Sequence, residues 1–215
     1  MLRLYTYFRS SAAYRVRIAL NLKKLDYSAI PVHLIRDGGQ HHEPAYADLN
    51  PQQLLPTLED GALTITQSLA ILEYLEEAYP LPALLPADVP GRARVRSLAL
   101  TIACDIHPLD NLRVLRYLQD ELDVDSERRN EWYRHWVRVG FTALERSLAK
   151  APHAGGFCHG DSPTLADCCL VPQVFNAQRL QCPLDDYPTL MRVHANCERL
   201  DAFQRAAPGA QPDAE

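Results

Sequence analysis

The chain has 215 residues, of which 47% are hydrophobic and 23% are charged, and these proportions exclude wholesale disorder and low-complexity architecture. Its 22 basic and 27 acidic side chains give a net charge of −5, whereas nucleic-acid and anionic-membrane surfaces require a basic excess. We therefore expect a globular protein with a small-molecule partner, and no nucleic acid or membrane partner.

The alternation of apolar residues predicts a mixed α/β region in the first 80 residues. The order βαβαββα is that of a thioredoxin-like domain, with a turn at Asp60 and Gly61 between its last two strands. The predicted elements are strands over residues 2–8, 27–34, 54–58 and 63–66, and helices over residues 11–24 and 68–79.

Four prolines at positions 80, 82, 86 and 90 predict a linker over residues 81–91. Beyond it, apolar residues recur every three or four positions, which predicts an all-helical domain over residues 92–215. The expected helices cover residues 92–122, 126–150 and 190–205, with a capping box from Thr164 to Asp167 before the apolar run 168–175. The polar tail 208–215 is expected to be loose.

All six cysteines follow residue 103, and no two have the C-x-x-C spacing of a redox pair or zinc site. Free buried thiols in a reducing compartment are expected, with no metal. The first residues are too polar for a signal peptide, and no stretch approaches about 18 apolar residues. We therefore expect a soluble, cytoplasmic protein.

The first strand-to-helix junction is the natural candidate site, because a helix beginning near Ser10 presents unpaired N–H groups and a positive dipole end. Residues 9–13 read RSSAA, so the C-x-x-C of redox thioredoxin-like domains is absent and disulfide exchange is excluded. A serine hydroxyl here could cap the helix or donate to a thiolate supplied by a ligand. The residues alone leave these two roles open.

The segment FRSSAAYRVRIAL, residues 8–20, resembles the N-terminal signature of zeta-class glutathione transferases, the family of maleylacetoacetate and maleylpyruvate isomerases. Further matching segments are LIRDGG (34–39), LNPQ (49–52), LPTL (55–58), QSLAI (67–71), EYLEE (73–77), CDIHPL (104–109), GD (160–161), LVPQV (170–174) and QPD (211–213). The resemblance covers nearly the whole chain and implies the cytosolic glutathione transferase fold, glutathione as cofactor and a homodimer. Ala12 replaces the usual signature cysteine, so we expect a mechanism without it.

The resemblance implies that Ser10 stabilises the glutathione thiolate, with Ser11 as second choice. Ionising half of a thiol at pH 7 requires a pKa lower by about 1.5, or about 2 kcal/mol. One hydroxyl donor contributes about 1.5 to 3 kcal/mol, and a helix dipole adds about 0.3 to 1 kcal/mol. A serine at a helix start is therefore sufficient without a metal.

The other glutathione contacts are also implied by the resemblance. Leu55 and Pro56 fall at a cis-proline whose preceding backbone pairs with the cysteinyl part, the alternative being a trans turn. Gln67 and Ser68 fall where the γ-glutamyl carboxylate is held, the alternative being an ordinary helix cap. The resemblance also implies a contact from His41 or His42, the alternative being that both histidines are solvated. His107 and Asn111, one helical turn apart, are implied to lie near the thiol.

Arginine forks bind carboxylates with two hydrogen bonds, which suits a maleyl substrate. The resemblance implies this role for Arg9 beside the thiolate and for Arg113 and Arg179 in the helical domain, solvated surface arginines being the alternative. In the family pattern, maleylpyruvate isomerases tend to carry arginine at the position of Arg113 and many maleylacetoacetate isomerases carry serine, so the resemblance slightly favours maleylpyruvate.

The expected function is therefore glutathione-dependent cis–trans isomerisation of maleylacetoacetate or maleylpyruvate to the fumaryl isomer in aromatic catabolism. One alternative is a glutathione transferase or dehalogenase acting on α-haloacids, in which the thiolate displaces halide. The other is a non-catalytic glutathione-transferase-like binding module.

Overall fold

The structure is a computed structural model that describes residues 1–150 and 155–215, and its contacts divide the chain into two units. Unit 1 contains Met1–Leu84 and Glu198–Glu215, and unit 2 contains Leu85–Cys197. Residues 198–215, expected in the helical domain, thus pack with the N-terminal region. The boundaries of the functional domains, 1–80, 81–91 and 92–215, stay a prediction.

Four short strands form one mixed sheet in unit 1, in the order β2-β1-β3-β4. The strands are β1 (Leu2–Thr6), β2 (Tyr27–Pro31), β3 (Thr57–Asp60) and β4 (Leu63–Thr66). Strand β1 is parallel to β2 and antiparallel to β3, with Leu4 opposite both Ala29 and Leu58. Leu4 is fully buried, which explains why the alternating pattern identified β1. The predicted strand over residues 54–58 overlaps β3 only at Thr57 and Leu58.

The described residues form nine α-helices. In chain order they are α1 (Ser11–Leu22), α2 (Pro44–Leu49), α3 (Ser68–Ala78), α4 (Val89–Leu100), α5 (Leu112–Asp120), α6 (Ser126–Ala149), α7 (Leu165–Arg179), α8 (Pro188–Glu198) and α9 (Asp201–Ala206). Helix α1 packs against α3 and α9 in unit 1, while α4 packs against α7 in unit 2. The predicted thioredoxin-like sheet domain followed by a helical region is confirmed. No helix within the described part of the chain is long and apolar enough to cross a membrane.

The predicted continuous helix over residues 92–122 is wrong. Helix α4 passes into a π-helical turn, Thr101–Ile106, and the helix then stops. Pro108 has no N–H to continue a helical ladder, and Asn111 begins α5 by accepting a hydrogen bond from the Arg113 N–H at 3.1 Å. The predicted helix over residues 190–205 is likewise two helices, α8 and α9.

The capping box at the start of α7 is confirmed. The Asp167 carboxylate accepts from both the N–H and the hydroxyl of Thr164, at 2.8 Å each. Its other oxygen accepts from the Cys158 N–H at 2.9 Å, so this fully buried side chain also fixes the preceding loop. Burial raises the pKa of Asp167, and these donors oppose that shift.

The expectation of a loose tail over residues 208–215 is wrong. Pro208–Ala210 forms a 3₁₀ turn, and the buried Gln211 donates to the carbonyls of Arg205 and Ala207 at 2.8 and 2.9 Å. Asp213 accepts a hydrogen bond from the backbone N–H of Phe8. These specific polar contacts hold a segment that has few apolar residues.

All six cysteines are free thiols, and the prediction that they are buried is confirmed for five and wrong for Cys104. Cys104 is exposed and the other five are buried. Burial raises the pKa of Cys182 to about 11 and raises that of Cys158 as well.

Candidate active site

The turn between β1 and α1 presents the hydroxyl of Ser10 at the start of a helix. Ser10 is the N-cap of α1, and its Oγ accepts from the Ala13 N–H at 3.2 Å. The Ser10 N–H donates to the Tyr7 carbonyl at 2.9 Å, which closes the turn. Because the cap uses Oγ as an acceptor, the hydroxyl hydrogen is still available for donation. Capping and thiolate stabilisation are therefore compatible roles for this one side chain.

Ser10 and its two neighbours, Arg9 and Ser11, differ in how exposed their side chains are. Ser11 is only 5% exposed, whereas Ser10 is partly exposed, and this difference favours Ser10 as the contact for a ligand. Arg9 is exposed, and its Nη2 donates to the Tyr7 hydroxyl at 3.0 Å. Its guanidinium also lies 5.2 Å from the centre of the Phe8 ring. These contacts hold a positive charge beside Ser10.

Ser68 at the start of α3 has a buried partner that the sequence analysis did not assign. Arg15 on α1 is 2% exposed, and its Nη1 donates to Ser68 Oγ at 3.1 Å. This bond uses Ser68 as an acceptor and leaves its hydroxyl hydrogen for a ligand. A guanidinium and a helix N-terminus at one place favour a carboxylate. The available signal was a charged residue inside an otherwise apolar helical pattern.

Gln67 precedes Ser68 with φ +70°, a left-handed conformation that is uncommon for a residue with a side chain. Its Nε2 donates to Gln52 Oε1 at 2.6 Å, so the amide is oriented by a neighbouring loop. Strained backbone of this kind costs of the order of 1 kcal/mol and is concentrated at ligand sites. The conformation is consistent with the role predicted for Gln67.

The Leu55–Pro56 peptide bond is cis, as predicted. Tyr46 Oη and Asn50 Nδ2 both donate to the Leu54 carbonyl, at 2.6 and 2.7 Å, and fix the approach to this bond. Tyr7, Phe8, Val32, Tyr46 and Leu55 form one buried apolar cluster. The segment around Leu55 therefore shares a core with the turn that leads to Ser10.

The two adjacent histidines are not equivalent. His41 is 7% exposed, whereas His42 is exposed and its Nδ1 lies 2.5 Å from Gln53 Oε1. The centroids of the two rings lie 3.8 Å apart, with their planes tilted by 41°. Gly39 has φ +107°, and a Cβ on it would collide with the His41 ring. A glycine at this position therefore allows His41 to be buried. Of the two histidines predicted as alternatives for a glutathione contact, His41 is the buried one.

The predicted residues of unit 2 lie on three elements: His107 ends the π-helical turn, Asn111 and Arg113 lie at the start of α5, and Arg179 lies in α7. Asn111 Nδ2 lies 3.4 Å from His107 Nε2, so these two side chains are neighbours as predicted. The His107 N–H donates to the Ile102 carbonyl at 2.9 Å in the π-helical pattern, a local geometry frequent at functional sites. Arg113 is exposed in the first turn of α5, and Arg179 is exposed at the end of α7.

Within unit 1 the structure joins the predicted residues through buried contacts. Arg15 connects α1, which Ser10 caps, to Ser68, and the apolar cluster connects Phe8 to Leu55. Hydroxyl, helix N-terminal and guanidinium donors therefore surround the ends of β1 and β4. Such a set can bind an anionic ligand and stabilise a thiolate.

Comparisons with known proteins agree with this geometry. Residues 4–83 match the family described as glutathione S-transferase, N-terminal domain. A probable maleylacetoacetate isomerase of Vibrio cholerae is 52% identical, covering 98% of this chain and 97% of the relative. The maleylpyruvate isomerase of a Ralstonia species is 51% identical, covering 99% of each chain.

Solved structures give the same result. The holo structure of a maleyl pyruvate isomerase, described as a bacterial zeta-class glutathione S-transferase, has a TM-score of 0.96 at 51% identity, covering 99% of this chain and 100% of the other. A maleylacetoacetate isomerase from Methylobacterium extorquens AM1, with bound malonate and GSH, has a TM-score of 0.95 at 41% identity and covers 99% of each chain. The chain therefore belongs to the zeta-class glutathione transferases, in the family of maleylacetoacetate and maleylpyruvate isomerases.

Proposed function

We propose that this protein is a glutathione-dependent cis–trans isomerase that converts maleylacetoacetate or maleylpyruvate to its fumaryl isomer. The observation that carries the proposal is the Ser10 hydroxyl, held at the N-terminus of α1 by its bond to Ala13 and still able to donate. Relatives named for each of the two substrates match this chain almost equally well. The proposal therefore names their shared class, a maleyl diketo acid.

The donors of unit 1 fit glutathione. A thiolate fits the Ser10 hydroxyl and the first N–H groups of α1, while a carboxylate fits Ser68 and the buried Arg15 beneath it. We assign Gln67 to the same carboxylate, and Leu55 and His41 to the backbone of glutathione. The relative solved with bound GSH supports this assignment.

Bound glutathione supplies a thiolate whose addition to the cis double bond leaves a single bond able to rotate, and elimination then breaks the C–S bond, gives the trans product and regenerates the thiolate. Ser10 lowers the pKa of the thiol by donating to the sulfur, and the required stabilisation of about 2 kcal/mol is within reach of one hydroxyl donor. Arg9, beside Ser10, binds a substrate carboxylate and stabilises the negative charge that develops on addition. We also propose that Arg113 and Arg179 bind the substrate and that His107 and Asn111 bind glutathione.

We further propose that the protein is a cytoplasmic homodimer. Six free thiols, five of them buried, suit a reducing compartment. Sedimentation of the purified protein tests the dimer, because a monomer at micromolar concentration would contradict it.

The experiment for the assigned chemistry compares Ser10→Ala with Ser10→Thr, which keeps both the hydroxyl and the cap. We expect Ser10→Ala to lower kcat/KM by about 10- to 100-fold, the equivalent of one lost hydroxyl donor, and Ser10→Thr to retain most activity. Unchanged activity in Ser10→Ala would remove the role given to this residue.

Total glutathione is measured in these reactions and in parallel reactions with an α-haloacid as substrate. Isomerisation returns glutathione, whereas transfer to an α-haloacid consumes one thiol for each halide released. A fall in total glutathione that matches product formation would support the transferase alternative instead.

A further inference from the structure

The segment that follows α9 is attached to the part of unit 1 that carries the thiolate site. Gln211 donates to the Arg205 and Ala207 carbonyls and so closes the C-terminal end of α9. Helix α9 packs against α1, where Asn21 Nδ2 donates to the Ala202 carbonyl at 2.9 Å. The residues after Gln211 therefore begin from a fixed point.

Asp213 lies two residues beyond Gln211 and contacts the β1–α1 turn. Its Oδ2 accepts from the Phe8 N–H at 2.9 Å. A carboxylate acceptor makes a stronger hydrogen bond than a neutral one. Phe8 precedes Ser10 by two residues, so this bond acts directly on the turn that presents the Ser10 hydroxyl.

The opposite side of the Phe8 residue is held by Arg17. This fully buried side chain donates from Nη2 to the Phe8 carbonyl at 3.0 Å and from Nη1 to Thr6 Oγ1 at 2.9 Å. Its Nε donates to the Ala206 carbonyl at 3.0 Å, which ties the same guanidinium to α9. Burial lowers the pKa of Arg17 to about 10, so it remains charged at neutral pH.

The last residue of the segment reaches a second loop. Glu215 Oε1 lies 3.4 Å from His33 Nε2 and also pairs with Arg36. His33 Nδ1 in turn accepts from the N–H groups of Ile35 and Arg36, at the start of the loop that leads to His41. Residues 211–215 thus run from α9 past the β1–α1 turn to this loop.

We propose that Asp213 is a positioning residue for the thiolate site, acting through the Phe8 N–H to set the place of the Ser10 hydroxyl. Phe8 is held at its N–H by Asp213 and at its carbonyl by Arg17, and the next turn places Ser10. Hydrogen-bond stabilisation of a thiolate depends steeply on donor position, so a small displacement of this turn weakens it. The inference rests on the proposed function, because it assumes that Ser10 donates to a thiolate.

The test compares Asp213→Ala with Asp213→Asn and with a control, Asp201→Ala. The asparagine can still accept from the Phe8 N–H, whereas alanine cannot. Asp201 lies in the same part of the chain, but its carboxylate is exposed and pairs with Arg205 at 2.8 Å on α9. The control therefore removes a nearby carboxylate without touching the turn.

Three measurements follow for each variant in the full chain. Hydrogen exchange of the peptide containing Phe8 reports the contact without requiring activity. Ultraviolet absorbance of glutathione bound to the protein, titrated with pH, gives the pKa of the bound thiol. Steady-state kinetics at pH 6 separate kcat from the KM for glutathione.

We expect Asp213→Ala to speed exchange at Phe8, to raise the pKa of the bound thiol by about 0.5 to 1, and to lower kcat about three- to tenfold at pH 6. The KM for glutathione should stay within about twofold, because Ser68 and Arg15 are untouched. Asp213→Asn should lose much less than Asp213→Ala, because its amide oxygen still accepts from the Phe8 N–H, though more weakly than the carboxylate. Asp201→Ala should behave as wild type. If Asp213→Ala does not fold, Asp213→Glu, which moves the carboxylate by one methylene, takes its place with the same expectations.

Two results would overturn the inference. One is an active wild type together with an Asp213→Ala variant whose thiol pKa and kcat are unchanged. The other is an equal decrease of kcat and an equal rise of the thiol pKa in Asp213→Asn and Asp213→Ala, since the effect would then come from the charge of Asp213 and not from its hydrogen bond. A wild type without glutathione-dependent isomerisation contradicts the proposed function instead, and the exchange at Phe8 then still reports whether the contact exists.

Discussion

Asp110 lies between His107 and Asn111 and carries a buried carboxyl group. The side chain is 7% exposed, and within the described residues neither of its oxygens has a hydrogen-bond partner. Burial raises its pKa to about 8. Since a carboxyl group in an unfolded chain has a pKa near 4, Asp110 is protonated in the folded protein and ionised in the unfolded chain between about pH 4 and pH 8.

The sign of the pH dependence follows from the bound protons. Between these values the folded state holds one proton more than the unfolded state, so this group makes stability fall as pH rises, by about 1.4 kcal/mol per pH unit. Integrated from acid to pH 7, the loss reaches at most about 4 kcal/mol. Asp110→Asn removes this dependence, while any cost of burying the amide is the same at every pH.

The assay is urea unfolding of wild type, Asp110→Asn and the control Asp105→Asn at pH 5, 6, 7 and 8. Asp105 is exposed in the same segment, so its replacement should leave the slope unchanged. The free energy of unfolding of Asp110→Asn, relative to wild type, should rise by up to about 1.4 kcal/mol per pH unit. If the free energy of unfolding of Asp110→Asn and of wild type changed in parallel with pH, the conclusion that Asp110 is buried and protonated would be refuted.

Three further predictions concern other parts of the fold. Glu76→Ala should lower the free energy of unfolding by about 3 to 5 kcal/mol in urea titrations, because the buried Lys23 ammonium, 2.8 Å from Glu76, would keep the carbonyls of Tyr79 and Pro82 but lose the carboxylate that balances its charge. A loss below about 1 kcal/mol would show that the pair is not buried in solution. Gly39→Ala should raise the KM for glutathione more than it lowers kcat, because the added Cβ displaces His41. An unchanged KM would show that His41 does not contribute to glutathione binding. In native protein, one thiol of six, the exposed Cys104, should react rapidly with Ellman's reagent, and two or more fast thiols would contradict the burial of the others.

The fold could be predicted where the pattern is local. The strand alternation that buries Leu4 and the capping box of Thr164 each depend on residues within one element, so sequence spacing is sufficient. The interruption after Ile106 was missed because Leu98, Ile102 and Ile106 keep the four-residue apolar spacing of a continuous helix up to the break. The tail was missed because Asp213 and Phe8 are 205 residues apart, and no local pattern announces such a bond.

The candidate site divides in the same way. The positions of Ser10 and Ser68 at helix starts, and the cis bond before Pro56, agree with expectations based on the resemblance. The contact that holds Ser68 from beneath could not be assigned, because Arg15 is 53 residues away and its burial depends on how α1 and α3 pack. Charged residues within the apolar pattern of α1 were the only signal of this contact in the sequence.

The central claim is that glutathione is required for isomerisation and is not consumed by it. The most direct measurement follows the absorbance of maleylpyruvate and of maleylacetoacetate with the purified protein, in matched cuvettes with and without glutathione. We predict rapid conversion of at least one substrate to its fumaryl isomer only where glutathione is present, with total glutathione constant throughout. Equal rates in the two cuvettes would contradict the account.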